Sequence, residues 1–351
     1  MSVKRPTVKD VAREAGVSIA TVSRAMSKPN DVKSQTRDAV LDAMKKIGYR
    51  ANQAAAELRR GSSKTLLVLV SDITNAFFAS FFKGIEEEAR ESGYVVLIGD
   101  TSDDTEIERA YTDMLLMNQA GGMILNTLSI PEDLLPSDDQ GAYSGPPLVS
   151  CGGHRELELP TVRTGDELGG RLAAEHLLAL GHVNILQVCG SLNVPPFERR
   201  YLGFRDAVQK ANVDPQDERR IFGELSIEFG QHAAKTLVAS GNLPTAVFVH
   251  NDETATGLLH GLAQAGVRVP EDVSVIGFDD MPYSAVFNPG LSTVRLPRRE
   301  WGRLAARKLI AVMEHQEGAM APQIIEPKLI VRASTAAPRQ LHKQDHKRDL
   351  N

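Results

Sequence analysis

The chain has 351 residues, 42% of them hydrophobic, and a net charge of −5. That suits one small domain and one or two larger ones able to bury a real core. The longest apolar runs, such as Leu66–Val70, are strand-sized, which excludes a transmembrane helix, and the basic start has no signal-peptide pattern. Charge is uneven: residues 1–60 hold 13 Lys or Arg against 6 Asp or Glu, a net +7, so the remainder carries −12. A basic head on an acidic body is the footprint of a polyanion-binding domain attached to something else.

The head is read first. Thr7 can cap a helix whose Val8, Val11, Ala12 and Ala15 share one buried face, and Gly16 supplies the positive φ that ends it. Ser18 can cap a second helix, with its hydroxyl meeting the N–H of Ala20 or Thr21, and with Val22 and Met26 inward. Ile19, Ala20, Ser23 and Arg24 then face out. Two short helices joined at a glycine form a helix-turn-helix, whose second helix enters the major groove. Small residues allow close approach, apolar ones meet a thymine methyl, and Arg24 reaches a guanine edge or a phosphate. Ser34 is expected to cap a third helix, with Val40, Leu41, Met44 and Ile47 inward and Gly48 at its end. The plain alternative is a small helical bundle without a DNA role. Next come Ala54, Ala55 and Ala56, strong helix formers in a segment too short to be helical alone.

After Gly61-Ser62-Ser63 the texture changes. Strand-like runs (Leu66–Val70, Tyr94–Gly99, Met123–Asn126, Asn184–Cys189, Ala246–His250, Val273–Phe278) alternate with helical ones (Ala76–Glu91, Thr105–Gln119, Leu168–Leu180, Glu198–Ala211, Ile227–Ala239, Glu253–Ala265). Such alternation predicts an α/β fold of parallel sheets covered by helices. Cys151 and Cys189 have no metal-ligand spacing and read as buried free thiols of a reducing cytosol. The tail from Ala336 is polar without apolar period and is expected to be disordered.

In open α/β sheets ligands bind beyond the carboxyl ends of the strands. Phe77 and Phe78 fall there and can wall a ring or an apolar sugar face. Arg200, Asn251, Asp252 and Asp279 also fall there; Arg offers a planar fork of donors and a carboxylate accepts from vicinal hydroxyls. Each has a structural alternative: an Arg200–Asp279 salt bridge, a core role for Phe78, a helix N-cap for Asn251.

Residues 7–26, the segment Asn52–Arg60, and Ile276-Gly277-Phe278-Asp279-Asp280 followed by Pro289–Val294 resemble the LacI/GalR family of bacterial transcriptional repressors, over about residues 5–335. Gly93–Asp100 and Glu156–Val162 resemble its cytidine-repressor branch. The resemblance implies a helix-turn-helix headpiece (1–50), a hinge helix and linker (51–63) and a two-lobed core like a periplasmic sugar-binding protein (64–335), with the tail at 336–351. Lobe 1 would span about 64–162 and 294–325, and lobe 2 about 163–292 and 326–335, with crossings near 161–164, 291–294 and 324–327. It implies DNA contacts from Thr7, Ser18, Ile19, Ala20, Thr21, Ser23, Arg24, Asn52 and Ala55, with Leu58 as a wedge that kinks the minor groove; the alternative for Leu58 is packing on the body. It implies effector hydrogen bonds from Arg200, Asn251 and Asp279, and cleft walls from Phe77, Phe78 and Leu225.

The expected partners are a palindromic double-stranded operator, a sugar or nucleoside effector and a second copy of the chain. No cofactor, metal or membrane is expected, and the location is the bacterial cytoplasm, at the nucleoid. A homodimer is favoured because the tail lacks the leucine heptads of a tetrameriser. Val194 and Pro196 cannot donate from their side chains where purine-binding relatives offer polar contacts, which disfavours a purine base. Three rivals remain. An enzyme would need a phosphate loop, a zinc-spaced His pair or a nucleophile elbow, and none is found. A periplasmic solute-binding protein would lack the DNA head. A nucleoid-architectural protein would not need a polar cleft.

Overall fold

The computed structural model describes residues 6–49, 63–127, 130–134, 143, 145–152, 159–213 and 220–339. The head and the body are separate compact units. Asn52, Ala55 and Leu58 lie outside the described residues, as do residues 340–351.

The head is three helices: α1 (Val8–Glu14), α2 (Ile19–Ser27) and α3 (Ser34–Ile47). Val11, Val22 and Val40 are fully buried at their meeting point, with Ala12, Ala25 and Ala43 around them. Gly16 and Gly48 adopt φ of 66° and 67°, which a side chain resists, and so end α1 and α3. Two expectations are corrected. Ser34 is the first helical residue of α3, and Lys33 takes the cap position. Leu41 is exposed, because the buried stripe passes through Val40 and Ala43 instead.

In the body, β1 (Thr65–Val70), β2 (Val95–Asp100), β3 (Gly122–Asn126) and β4 (Leu148–Ser150) form a parallel sheet in the order β2-β1-β3-β4. Helices α4 (Ala79–Glu91) and α5 (Thr105–Leu116) belong to this first lobe. β1 reads as one continuous apolar run because it is central and Leu66–Val70 are all buried. β2 is an edge strand and differs: Val95, Leu97 and Ile98 are exposed.

The second lobe contains β6 (Ile185–Cys189), β7 (Arg220–Phe222), β8 (Ala246–Val249), β9 (Ser274–Asp279), β10 (Ser292–Arg295) and β12 (Lys328–Ile330). They lie in the order β12-β10-β9-β8-β6-β7, parallel except for β12. Helices α6 (Asp166–Ala179), α7 (Pro195–Lys210), α8 (Ile227–Ala239) and α9 (Asp252–Gln264) pack around it. Between the lobes β5 (Val162–Thr164) pairs with β11 (Gln323–Ile325). β10 stays in the second sheet through Arg295, so that crossing lies at 296–297, just past the expected position. From there α10 (Arg298–Met313) packs on α4 and β3 of the first lobe. Ala336 bonds Ser274 and His182, which ties the start of the expected tail to the second lobe.

Three helix pairs carry the packing, and each closes on reciprocal glycines. A Cβ on Gly84 of α4 would sit 1.9 Å from the Arg299 carbonyl oxygen, and one on Gly302 of α10 would sit 2.0 Å from that of Phe81. Gly170 and Gly203 do the same for α6 and α7, and Gly230 and Gly257 for α8 and α9. Backbone touches backbone, so no side chain larger than hydrogen fits.

Gly257→Ala is expected to destabilise the protein by about 1–3 kcal/mol, the usual cost of overpacking. The urea unfolding midpoint checks this; an unchanged midpoint would mean that α8 and α9 separate freely.

Candidate functional site

A cavity of about 750 Å³ lies where the strand ends of the two lobes face each other. All six effector residues expected from the sequence, Phe77, Phe78, Arg200, Leu225, Asn251 and Asp279, line it.

The first-lobe wall begins after β1. Asn75 Oδ1 accepts from the Phe77 N–H at 2.9 Å and sets a single 3-10 turn over Ala76–Phe78. The Phe77 and Phe78 rings meet edge to face, 5.1 Å apart at 83°, and Phe77 leans on Trp301 at 6.2 Å. Phe78 also packs on Phe81 and Phe82, so its core role and its wall role hold together. Trp301 is fixed in turn by its indole N–H, which donates to the Val162 carbonyl at 2.8 Å.

The second-lobe floor is built on a buried charge cluster. Arg200 of α7 donates from Nε to Asp166 Oδ1 at 2.9 Å and from a terminal nitrogen to the His250 carbonyl. Its guanidinium stands 3.8 Å from the centre of the Phe278 ring. Asp166 Oδ2 accepts from the Thr164 hydroxyl at 2.6 Å. Arg200 reaches Asp279 only at 3.8 Å, an ion-pair distance without a hydrogen bond. The Arg200–Asp279 salt bridge is therefore present, but the closer, hydrogen-bonded partner of Arg200 is Asp166, which the sequence reading missed. Asp166 opens α6 right after the crossing strand β5, and nothing in its local pattern ties it to residue 200.

Asp279 ends β9 with φ of 110°, a conformation that surrounding structure must enforce. It is 6% exposed, and its Oδ1 accepts no hydrogen bond. Burial pushes its pKa up to about 8, against the pull of the Arg200 charge and with a further push from Asp252. Asp280 follows at φ of 53° and turns outward to Arg295 and Arg332, at 2.5 and 2.6 Å.

Asp252 follows β8 beside Asn251, as expected, but its role was not legible. It is fully buried and accepts from Met281 N, the Ser284 hydroxyl and the Thr293 hydroxyl at 2.9, 2.6 and 2.7 Å. It thereby anchors the segment after Asp279, which brings Met281 and Tyr283 to the cleft. A Cβ on Gly277 would sit 2.2 Å from Asp252 Oδ1, so only glycine leaves room for it. Burial pushes this carboxyl up to about 6 despite its three donors. Asn251 takes its alternative role as N-cap of α9, accepting from Thr254 N at 2.9 Å, and still lines the cleft. Leu225 follows β7 as a half-buried wall residue. Cys151 and Cys189 are buried and free; burial raises both thiols, Cys189 to about 12.

In the head, Ser18 Oγ accepts from Thr21 N at 3.1 Å and bonds the Thr21 hydroxyl at 2.8 Å. Thr7 caps α1 in a reversed sense, donating from N and Oγ1 to Asp10 at 2.9 and 2.7 Å. Ile19, Ala20 and Arg24 are exposed on α2 and Ser23 is half-exposed.

Residues 7–52 match the lacI family of bacterial regulatory proteins, and residues 174–335 match a periplasmic binding protein-like domain. The chain is 36% identical over 334 residues to the HTH-type transcriptional repressor CytR of Escherichia coli K12, covering 94% of this chain and 96% of that protein.

The chain belongs to the LacI family of bacterial regulatory proteins.

It is a DNA-binding transcriptional regulator with an effector-binding core. The repressor PurR of Vibrio vulnificus is 31% identical over 93% of the chain and 97% of its own length. The fold matches a Lac repressor dimer bound to operator and the anti-inducer ONPF, with a TM-score of 0.84 at 27% identity, over 95% of this chain and all of that one. A LacI family regulator of Enterococcus faecium with bound ribose matches with a TM-score of 0.68 at 31% identity, over 78% of this chain and 99% of that one. The likeness to the cytidine-repressor branch read from the sequence agrees with the match to CytR.

The raised pKa of Asp279 has a consequence for stability. An unfolded Asp titrates near 3.9, so between that value and about 8 the folded state holds more protons than the unfolded one. This contribution is complete at low pH and is lost as pH rises through about 8. Asp279→Asn is expected to remove this contribution to the fall in melting temperature between about pH 5 and 8; the same fall in the variant would remove Asp279 as its source.

Proposed function

We propose that the chain represses or activates transcription from a palindromic operator and that a sugar or nucleoside bound between the core lobes controls its operator affinity. The observation that carries the ligand half of this reading is Asp279: a buried carboxylate, one oxygen of which has no hydrogen-bond donor, in the lining of a cavity of about 750 Å³. A ligand hydroxyl or amino group supplies that donor, while Phe77 and Phe78 hold an apolar ring face. Asn251 Nδ2 and the remaining Arg200 N–H groups supply donors in return. Val194, Pro195 and Pro196 add apolar wall only, which fits a sugar or pyrimidine nucleoside better than a purine base.

In this reading α2 enters the major groove with Ser18, Ile19, Ala20, Thr21, Ser23 and Arg24, and Thr7 meets the backbone. Asn52, Ala55 and Leu58 act in the minor groove. A second copy of the chain covers the first-lobe edge. Val95, Leu97 and Ile98 of β2 and Ile107 and Leu116 of α5 are exposed there, a contiguous stretch of chain that monomers rarely leave open. Ligand binding closes the lobes and alters the spacing of the two heads. The domain limits given above (1–50, 51–63 and 64–335) serve this mechanism.

The cleft is a sensor and not a catalytic site in this proposal. His250 lies beneath the floor, fully buried and pushed down to about 3, so it stays neutral and cannot relay protons to a ligand. No helix among the described residues is long and apolar enough to cross a membrane. We place the protein in the cytoplasm, at the nucleoid.

Arg24→Ala is expected to weaken operator binding by about 1–3 kcal/mol, read by fluorescence anisotropy on DNA selected from a random library. Wild-type affinity for that DNA should shift at least severalfold with ribose or cytidine, and Asp279→Asn should abolish the shift. Operator affinity indifferent to every sugar and nucleoside tried would sink the ligand half of the proposal while leaving the DNA half.

A further inference from the structure

The cleft is acidic. Asp72, Glu224 and Glu253 line it beside the buried Asp279, and among the described residues its cationic lining side chain is Arg200, whose Nε and one terminal nitrogen already bond Asp166 and the His250 carbonyl. Asp72 comes from the first lobe and Glu253 from the second. They are close enough that Asp72 raises the pKa of Glu253, as do burial, the largest cause, and Glu228. Closing the lobes therefore brings like charges together.

The helix starts at the cleft are poorly suited to an anion as well. Three helices begin at it, and an open helix N-terminus binds phosphate through free N–H groups and its dipole. At α7, Pro195 and Pro196 have no N–H, and the Phe197 and Glu198 N–H groups both donate to the Val194 carbonyl. At α8, Ser226 Oγ takes the Phe229 N–H at 3.1 Å. At α9, Asn251 Oδ1 takes the Thr254 N–H. Each first turn also carries its own carboxylate: Glu198, Glu228, and Asp252 with Glu253. These carboxylates counter the helix dipoles from within the protein, and Asp279, in the cleft lining, has an oxygen without a donor.

We infer that the cleft discriminates by charge: it accepts the neutral or cationic, donor-rich form of its ligand and rejects the phosphate ester of the same compound. This rests on the sugar-or-nucleoside reading above and sharpens it. The regulator then reports the compound before a phosphoryl transfer consumes it, and falls silent once that transfer has occurred.

The test is calorimetric titration of the full-length protein with matched pairs: ribose and ribose 5-phosphate, glucose and glucose 6-phosphate, cytidine and cytidine 5′-monophosphate. The expected result is a neutral member that binds and an ester at least roughly a hundredfold weaker, the scale of a like-charge juxtaposition. The Asp72→Asn, Glu253→Gln double variant should narrow that ratio about tenfold or more. An ester that binds as well as its neutral partner overturns this inference and leaves the sugar-or-nucleoside reading intact. Binding of neither member of any pair overturns that reading, and this inference with it. A ratio unchanged in the double variant overturns the assignment to these two carboxylates.

Discussion

The buried contact between Arg200 and Asp166 organises the second lobe. Gly170 and Gly203 let α6 and α7 touch backbone to backbone, and a Cβ on Gly170 would strike the carbonyl of Arg200 itself. That contact brings Asp166, at the start of α6, to the Arg200 side chain in α7. Buried pairs of this kind are poor sources of stability, since desolvation offsets most of the attraction, but removing one partner costs about 3–5 kcal/mol. The pair therefore serves geometry. It fixes a positive charge on the Phe278 ring, one residue from Asp279, without giving Asp279 the hydrogen bond it lacks.

Asp279 is left poised. Burial favours its neutral form and the Arg200 charge favours its ionised form, and the balance leaves the pKa at about 8. A donor arriving from a ligand favours the ionised form and tips the balance. Asp252 keeps the machinery stiff by tying α9, β10 and the segment after Asp279 into one network. Glycine-closed helix pairs stiffen both lobes, because backbone packed on backbone leaves little room to shift.

Much of this was legible in the sequence because it depends on local chemistry. Gly16, Ser18 and Val22 announce their roles through φ, capping and period. Leu66–Val70 reads as a buried central strand because it has no polar face. Five of the six expected cleft residues were legible because they follow strand ends, and Leu225 through the family resemblance; the structure gathers all six at one cavity. What was missed depends on distance in the chain. Asp166 meets Arg200 across 34 positions, and Asp252 meets Thr293 across 41. Short strands such as β5 and β11 are too brief to show a period. Helix α10 went unread because Gly302, Ala305 and Ala306 blur its apolar stripe. Leu41 was placed inward because apolar type was weighed above angular position; its neighbour Val40 already filled the inward direction.

In the proposed mechanism the same end of the first lobe serves both ligand and partner. Phe77 and Phe78 sit just past β1, in the segment whose Ile73 N–H donates to Asp100 at the end of β2. β2 is the strand whose apolar edge stands open. A ligand held against Phe77 and Phe78 thus acts on the element that carries the exposed edge, through one hydrogen-bonded corner. Coupling between sites is typically about 1–3 kcal/mol, which is the scale of one buried donor gained or lost. Satisfying Asp279 in the closed state alone supplies a difference of that size. In the proposed mechanism, closure of the cleft is then rearrangement enough to connect the chemistry of the ligand to the geometry of the assembly.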